Sequence, residues 1–96
     1  MGEYRLTPAA ERDLEGISTY SRDQWGAEPA SRYIDRMIAA FDELARAPNA
    51  APACNHIRPG YRRRAVERHV IYFRITPNGI AVIRILHDRM DASRRL

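Results

Sequence analysis

HVIYFRITPNGIAVIRILH, residues 69–87, decides the fold. Two runs rich in isoleucine, valine, tyrosine and phenylalanine flank Pro77-Asn78-Gly79. Branched and aromatic side chains suit a pleated, half-buried surface, whereas proline, asparagine and glycine form turns. Two strands, His69 to Thr76 and Ile80 to His87, are therefore expected to form a hairpin. A two-residue Asn-Gly loop would set Phe73 opposite Arg84 and mix polar with apolar residues on both faces. A three-residue loop, 77–79, instead pairs Ile75 with Ala81, Phe73 with Ile83 and Ile71 with Ile85 on one apolar face. That register is the expected one, because a one-residue slip moves every side chain to the other face. The opposite face then carries Tyr72, Arg74 and Arg84 beside Val70, Val82 and Leu86, with His69 and His87 as neighbours at the far end. Helices can cover only the apolar side, which leaves the arginine-bearing side to solvent or a partner.

Working outward, Tyr61 to Val66 supplies a third strand and completes a meander. Upstream the hydrophobic period changes from 2 to 3.6. Ala30, Tyr33, Ile34, Met37, Ile38, Phe41, Leu44 and Ala45 make one apolar stripe, preceded by Pro29 in its first turn and stopped by Pro48-Asn49. Residues 50–59 read as a connecting loop. Before this helix, Thr7-Pro8 is an N-cap followed by proline at the first helical position, and Gly26 suits a C-terminal turn. A first helix over 8–25 follows, antiparallel to the second. Trp25, at its end, is expected to fill the core or anchor the hairpin. Glu3-Tyr4-Arg5-Leu6 alternates as a short strand. The expected architecture is α+β, strand-helix-helix-strand-strand-strand, an antiparallel sheet packed against an N-terminal α-hairpin. The 96 residues suit one domain, 1–96.

All 16 basic residues are arginine, against 12 acids, for a net charge of +4. Without lysine there is no Schiff-base chemistry, no P-loop lysine and no lysine general base. The charge divides unevenly along the chain. Residues 1–56 hold six arginines and nine acids, and residues 57–96 ten arginines and three acids. The basic character thus belongs to the sheet-forming half. The one cysteine, Cys54, has no partner for a disulfide and is expected to be an inert small hydrophobe in a reducing cytosol. No run is apolar enough to span a membrane, and the start lacks the layout of a signal peptide, so a cytoplasmic location is expected. His56 stands alone in the loop, and no two histidines share metal-ligand spacing with cysteines or carboxylates. No metal and no cofactor are expected.

Two constellations carry the functional expectation. Arg58, Arg62, Arg63, Arg64 and Arg68 crowd the first strand of the meander. Guanidinium groups grip phosphate or carboxylate through paired bonds, so this run reads as a binding surface for an acidic partner, or as a strand edge guarded by charge. Arg74, Arg84, His87 and Arg89 are gathered by the hairpin. As a nuclease, the chain would use His87 as general acid, Glu67 as general base and Arg74 to steady phosphate charge. Otherwise Arg74 and Arg84 lay their stems on Tyr72 and pair with carboxylates from elsewhere. Arg94 and Arg95 read as a mobile basic tail.

The segments YRLTPAAERDLEGI (4–17), IRPGYRR (57–63), RHVIYFRI (68–75) and IRILHDRMD (83–91) are similar to those of known toxins. From about Tyr4 to Asp91 the chain resembles the ParE branch of the RelE/ParE superfamily of bacterial type II toxin-antitoxin systems. The resemblance implies a RelE/ParE-like fold, inhibition of DNA gyrase with growth arrest, and silencing by a ParD-like antitoxin whose C-terminal segment folds on the toxin in a hetero-oligomer. It implies no catalytic residues. The expected target- or antitoxin-binding surface, from the two constellations above, is Arg58, Arg62, Arg63, Arg64, Arg68, Arg74, Arg84, His87 and Arg89. Neither a membrane nor bare nucleic acid is an expected partner, since the basic residues lie on strands rather than on a recognition helix. The alternative is the RelE-like branch, ribosome-dependent mRNA endoribonucleases, with Glu67, Arg74 and His87 as the catalytic set. Against it, the lysines of that branch are absent and Asp88 follows His87 where a tyrosine would stand.

Overall fold

The computed structural model describes residues 2–96. Strand β1 (Glu3–Leu6) leads into helices α1 (Pro8–Trp25) and α2 (Ala27–Arg46), then strands β2 (Tyr61–Val66), β3 (His69–Thr76) and β4 (Gly79–His87), and a last turn of helix, α3 (Ala92–Arg95). Thr7 Oγ1 accepts from Ala10 N at 3.1 Å and Pro8 occupies the first helical position, so α1 starts where the sequence predicts. A single residue, Gly26, joins the helices at φ 93°, in the region glycine enters without a Cβ clash.

The sheet order is β1-β4-β3-β2. It is antiparallel through β2, β3 and β4, while β1 joins β4 in parallel, Glu3 beside Gly79 and Leu6 beside Val82. That contact demands glycine, since a Cβ at position 79 would lie 1.8 Å from the Glu3 carbonyl oxygen. Beyond Leu6 the outer edge of β4 is taken over by α1 and its cap. Thr7 N donates to Val82 O at 3.0 Å, Thr7 Oγ1 donates to Ile83 O at 2.8 Å, and Ile85 N donates to the Asp13 carboxylate at 2.9 Å.

The β3-β4 register departs from expectation near the turn. His69 faces His87 and Ile71 faces Ile85, as the three-residue loop required, but Phe73 faces Val82, Ile75 faces Ile80 and Thr76 faces Gly79. The loop therefore has two residues, Pro77 and Asn78. A bulge opposite Tyr72 and Phe73 absorbs Ile83, letting both ends of the hairpin keep an apolar face toward the helices. Ile80 and Val82, rather than Ala81 and Ile83, complete that face.

Against it α2 lays Met37 and Phe41, both fully buried with Ile71, Phe73 and Val82. Burying each such side chain stabilises the fold by about 1.5–3 kcal/mol. The opposite face is not left open as expected. Residues 51–60 and α3 cover it, forming a second small core of Cys54, Tyr72, Leu86 and Ala92 with Ile57, Tyr61, Val70 and Leu96 packed around it. Cys54 is fully buried, and burial pushes its thiol pKa up, in keeping with an inert side chain. Residues 92–95 are helical rather than a free tail, with Asp91 capping Ser93 N at 3.1 Å.

Candidate functional site

Residues of α1 and of the far end of the β3-β4 pair line a groove of about 690 Å³. Its apolar wall is the α1 face bearing Ile17, Tyr20 and Trp25, its floor is Tyr33, His69, Ile85 and His87, and Met90 closes one side. Tyr20 is 62% and Trp25 55% exposed, an unusual placement for the largest apolar side chains of so small a protein. The expectation that Trp25 fills the core is therefore corrected. It meets Tyr33 edge-on, ring centres 6.2 Å apart, but presents the rest of its surface to the groove.

The floor is a hydrogen-bonded cluster. Tyr33 Oη lies 2.7 Å from His69 Nδ1 and 3.3 Å from Val66 O, and accepts from Arg68 N at 3.3 Å. The rings of His69 and His87 stand edge to face, centres 5.4 Å apart. Burial, then the neighbouring His87, holds the His69 pKa below its usual value, and burial raises that of Tyr33. Both groups are neutral at pH 7. His87 Nδ1 is 3.1 Å from the Asp88 carboxylate.

The arginines separate into two sets. Arg84 is tied down, its Nε and Nη2 donating to Asp13 at 2.7 and 3.0 Å and its Nη1 to Arg95 O at 3.3 Å. The paired carboxylate raises its pKa further. Arg64 donates to Glu43 at 2.9 Å, Arg62 to Ala51 O at 2.6 Å, and Arg58 to the Leu96 carbonyl. These four fasten the sheet to α1, α2, the 51–60 loop and the C-terminus. Among the described residues, Arg63, Arg68, Arg74 and Arg89 are exposed and have no carboxylate within salt-bridge reach. Arg68 lines the groove and Arg89 stands two residues beyond His87; Arg63 and Arg74 lie on the opposite face with Tyr72 and Tyr61.

The proposed nuclease residues do not converge. His87 is opposite His69 and Arg74 lies five residues along β3, about 17 Å away at strand rise. Glu67 occupies the β2-β3 turn at φ 53° with its carboxylate 3.2 Å from Arg36 on α2. Sequence reasoning missed Asp13 and the aromatic groove. Asp13 interrupts the α1 face that buries Ala10, Ile17 and Ser21, and a carboxylate in line with a buried stripe was the available signal.

Comparison with known proteins agrees with this architecture. Residues 4–92 match the family described as ParE toxin of type II toxin-antitoxin system, parDE. Toxin ParE1 of Mycobacterium tuberculosis H37Rv is 42% identical over 94 residues, covering 97% of this chain and 96% of that protein. Toxin ParE1 of Caulobacter vibrioides is 36% identical, covering 100% of this chain and 99% of its own length. A solved structure, the chromosomal ParDE TA system from P. aeruginosa, shares the fold with a TM-score of 0.78 at 22% identity, over 91% of this chain and 96% of that one. With a family match across nearly all of its length and full-length relatives at this identity, the chain belongs to the ParE toxin family and is the toxin of a ParDE type II toxin-antitoxin system.

Proposed function

We propose that this toxin, acting as one domain over residues 1–96 in the bacterial cytoplasm, arrests growth by inhibiting DNA gyrase, and that a ParD-like antitoxin neutralises it in a toxin-antitoxin hetero-oligomer. The observation that carries the binding reading is the groove. It displays Tyr20 and Trp25 beside the exposed Arg12 and Arg68, and aromatic and arginine side chains dominate the energetics of protein interfaces. An acidic amphipathic segment complements this surface, its apolar side on the aromatics and its carboxylates on the arginines. Arg63, Arg74 and Arg89 extend the same charge over the sheet and toward the target. Arg58, Arg62, Arg64 and Arg84 support the surface from within through the contacts described above. No helix among the described residues is long and apolar enough to cross a membrane. The mRNA-cleaving alternative needs Arg74 and His87 on one phosphate, and the register sets them at opposite ends of the hairpin.

The test runs two reactions side by side. Purified protein is added to a gyrase supercoiling assay and to a translating extract with primer-extension mapping of the mRNA. Loss of supercoiling with intact mRNA is expected. Codon-phased cleavage with untouched gyrase would overturn the proposal.

A further inference from the structure

Arg5, near the start of the chain, and Arg74 are brought together by the sheet. Ala81 of β4 is the register partner of Arg5 on β1 and of Arg74 on β3. Register partners point to the same face, so the three side chains form one row, arginine, alanine, arginine. That face is turned away from α1 and α2, because Ile80 and Val82 on either side of Ala81 point into the main core. Neighbouring strands lie about 4.7–4.9 Å apart, which puts the two arginine backbones about 10 Å from each other. The methyl group of Ala81 leaves the space between them open. A pocket of about 330 Å³ lies there, lined by Arg5, Arg74 and Ala81 with Thr76, Asn78 and Glu3.

This pair differs from the arginines that fasten the sheet. Arg58, Arg62, Arg64 and Arg84 donate to carbonyls or carboxylates of the chain. Arg5 and Arg74 are exposed, and among the described residues neither makes a side-chain hydrogen bond or an ion pair. Glu3, one row along the same face, is the one acid lining the pocket and lies beyond salt-bridge reach of both. Two guanidiniums facing each other over a small residue repel, and an anion seated between them offsets that repulsion.

The donor set selects the anion. Each guanidinium presents paired N–H groups in a planar fork. Thr76 and Asn78 add a hydroxyl and an amide at the same pocket. A carboxylate has two oxygens, which a single fork occupies. A terminal phosphate, with three free oxygens and a charge of about −2, accepts both forks at once and keeps an oxygen for the hydroxyl or the amide. A phosphodiester has two free oxygens and one charge, so the same count disfavours a nucleic-acid backbone.

We propose that Arg5 and Arg74, spaced by Ala81, form a site for a terminal phosphate group, as free phosphate or as the monoester of a small molecule, with Thr76 and Asn78 completing its hydrogen bonds. The site lies at the turn end of the β3-β4 hairpin, whereas the aromatic groove lies at the His69-His87 end. It stands on its own geometry and does not depend on which target the toxin attacks.

The experiment titrates the full chain, labelled with ¹⁵N-arginine, at constant ionic strength and a pH of about 8, where phosphate is a dianion. Sodium phosphate, glycerol 3-phosphate, dimethyl phosphate and acetate are added in separate arms, and the arginine Nε–H shifts are read. Saturable shifts at Arg5 and Arg74, and none that saturate at Arg63 and Arg89, are expected with phosphate or glycerol 3-phosphate. Whichever of these two binds more tightly identifies the source. Dimethyl phosphate and acetate should bind at least about tenfold more weakly. Arg74→Gln should weaken phosphate binding by about tenfold or more, as the loss of a charged pair of bonds requires. Glu3→Gln, which removes the one opposing charge, should tighten it by about threefold. Ala81→Leu should abolish it by filling the space between the arginines. The wild-type arms decide the matter even if a variant folds poorly. Shifts that do not saturate or that spread evenly over the exposed arginines, equal affinity for acetate or dimethyl phosphate, or undiminished affinity in a folded Arg74→Gln protein would each overturn the site.

Discussion

Replacing Asp13 by alanine tests whether one carboxylate holds α1, the sheet and the C-terminus together. Its side chain is 15% exposed and accepts three hydrogen bonds, two from Arg84 at 2.7 and 3.0 Å and one from Ile85 N at 2.9 Å. Bonds to a charged partner contribute about 1.5–3 kcal/mol each, which as a simple sum exceeds the worth of any one pair. Arg84 is 25% exposed and keeps the Arg95 carbonyl, so it partly rehydrates when Asp13 is removed. Breaking a buried pair costs about 3–5 kcal/mol, and the partial exposure here places the expected loss near the bottom of that range, about 3 kcal/mol. For a domain of this size that lowers Tm by roughly 12–24 °C. Asp13→Asn keeps an acceptor for Ile85 N but loses the charge, and should cost about half as much. Arg84→Met should cost less than Asp13→Ala, because the carboxylate still caps β4. Urea unfolding supplies the free energies, and the double variant Asp13→Ala/Arg84→Met should be more stable than additivity predicts by at least about 1 kcal/mol. Additive losses, or an Asp13→Ala cost under about 1 kcal/mol with full amide protection at Ile85, would refute the reasoning.

Three further outcomes follow from the geometry. The His69 pKa is depressed in the folded state by burial and His87, with Asp88 and Asp13 opposing. The unfolded chain therefore binds the proton more readily, and stability is full above about pH 6.5 and falls as the pH drops through that value, by at most about 1.4 kcal/mol per pH unit. Thermal melts from pH 7.5 to 5 should show a smaller slope for His69→Asn than for the parent, and equal slopes would count against it. Gly79→Ala drives a Cβ into Glu3 and should detach β1, costing at least about 2 kcal/mol and removing amide protection over Glu3 to Leu6. Trp25, the only tryptophan, should shift its fluorescence to the blue when an antitoxin occupies the groove, and Trp25→Ala should weaken that complex by about 2 kcal/mol or more with little change in urea midpoint.

The periodic signals were the legible ones. The Thr7-Pro8 cap, the α2 stripe from Ala30 to Ala45 and the alternation in β3 each report a local rule: a cap bond, a helical face, a pleat. The register was legible as far as alternation is regular, and failed from Phe73 to Ile80 because a bulge breaks the period without leaving a mark in composition. The helix-sheet order and the core between the helices and the sheet were readable for the same reason, since both follow from which positions must leave water, whereas the second small core on the opposite face was not.

What the sequence by itself determined is the order of elements, the basic sheet half and the absence of lysine chemistry, all properties of neighbours within a few residues. Only the tertiary structure decided which arginines are free. Arg84 and Arg64 look no different in sequence from Arg74 and Arg63, yet Asp13 and Glu43 come from helices 71 and 21 positions away and neutralise them. The same holds for the groove, where Tyr20, Trp25, His69 and His87 meet although they come from α1 and from opposite ends of the β3-β4 segment. An ion pair or a cavity is a relation between distant segments, and its energy depends on distance and burial, which the chain acquires only on folding.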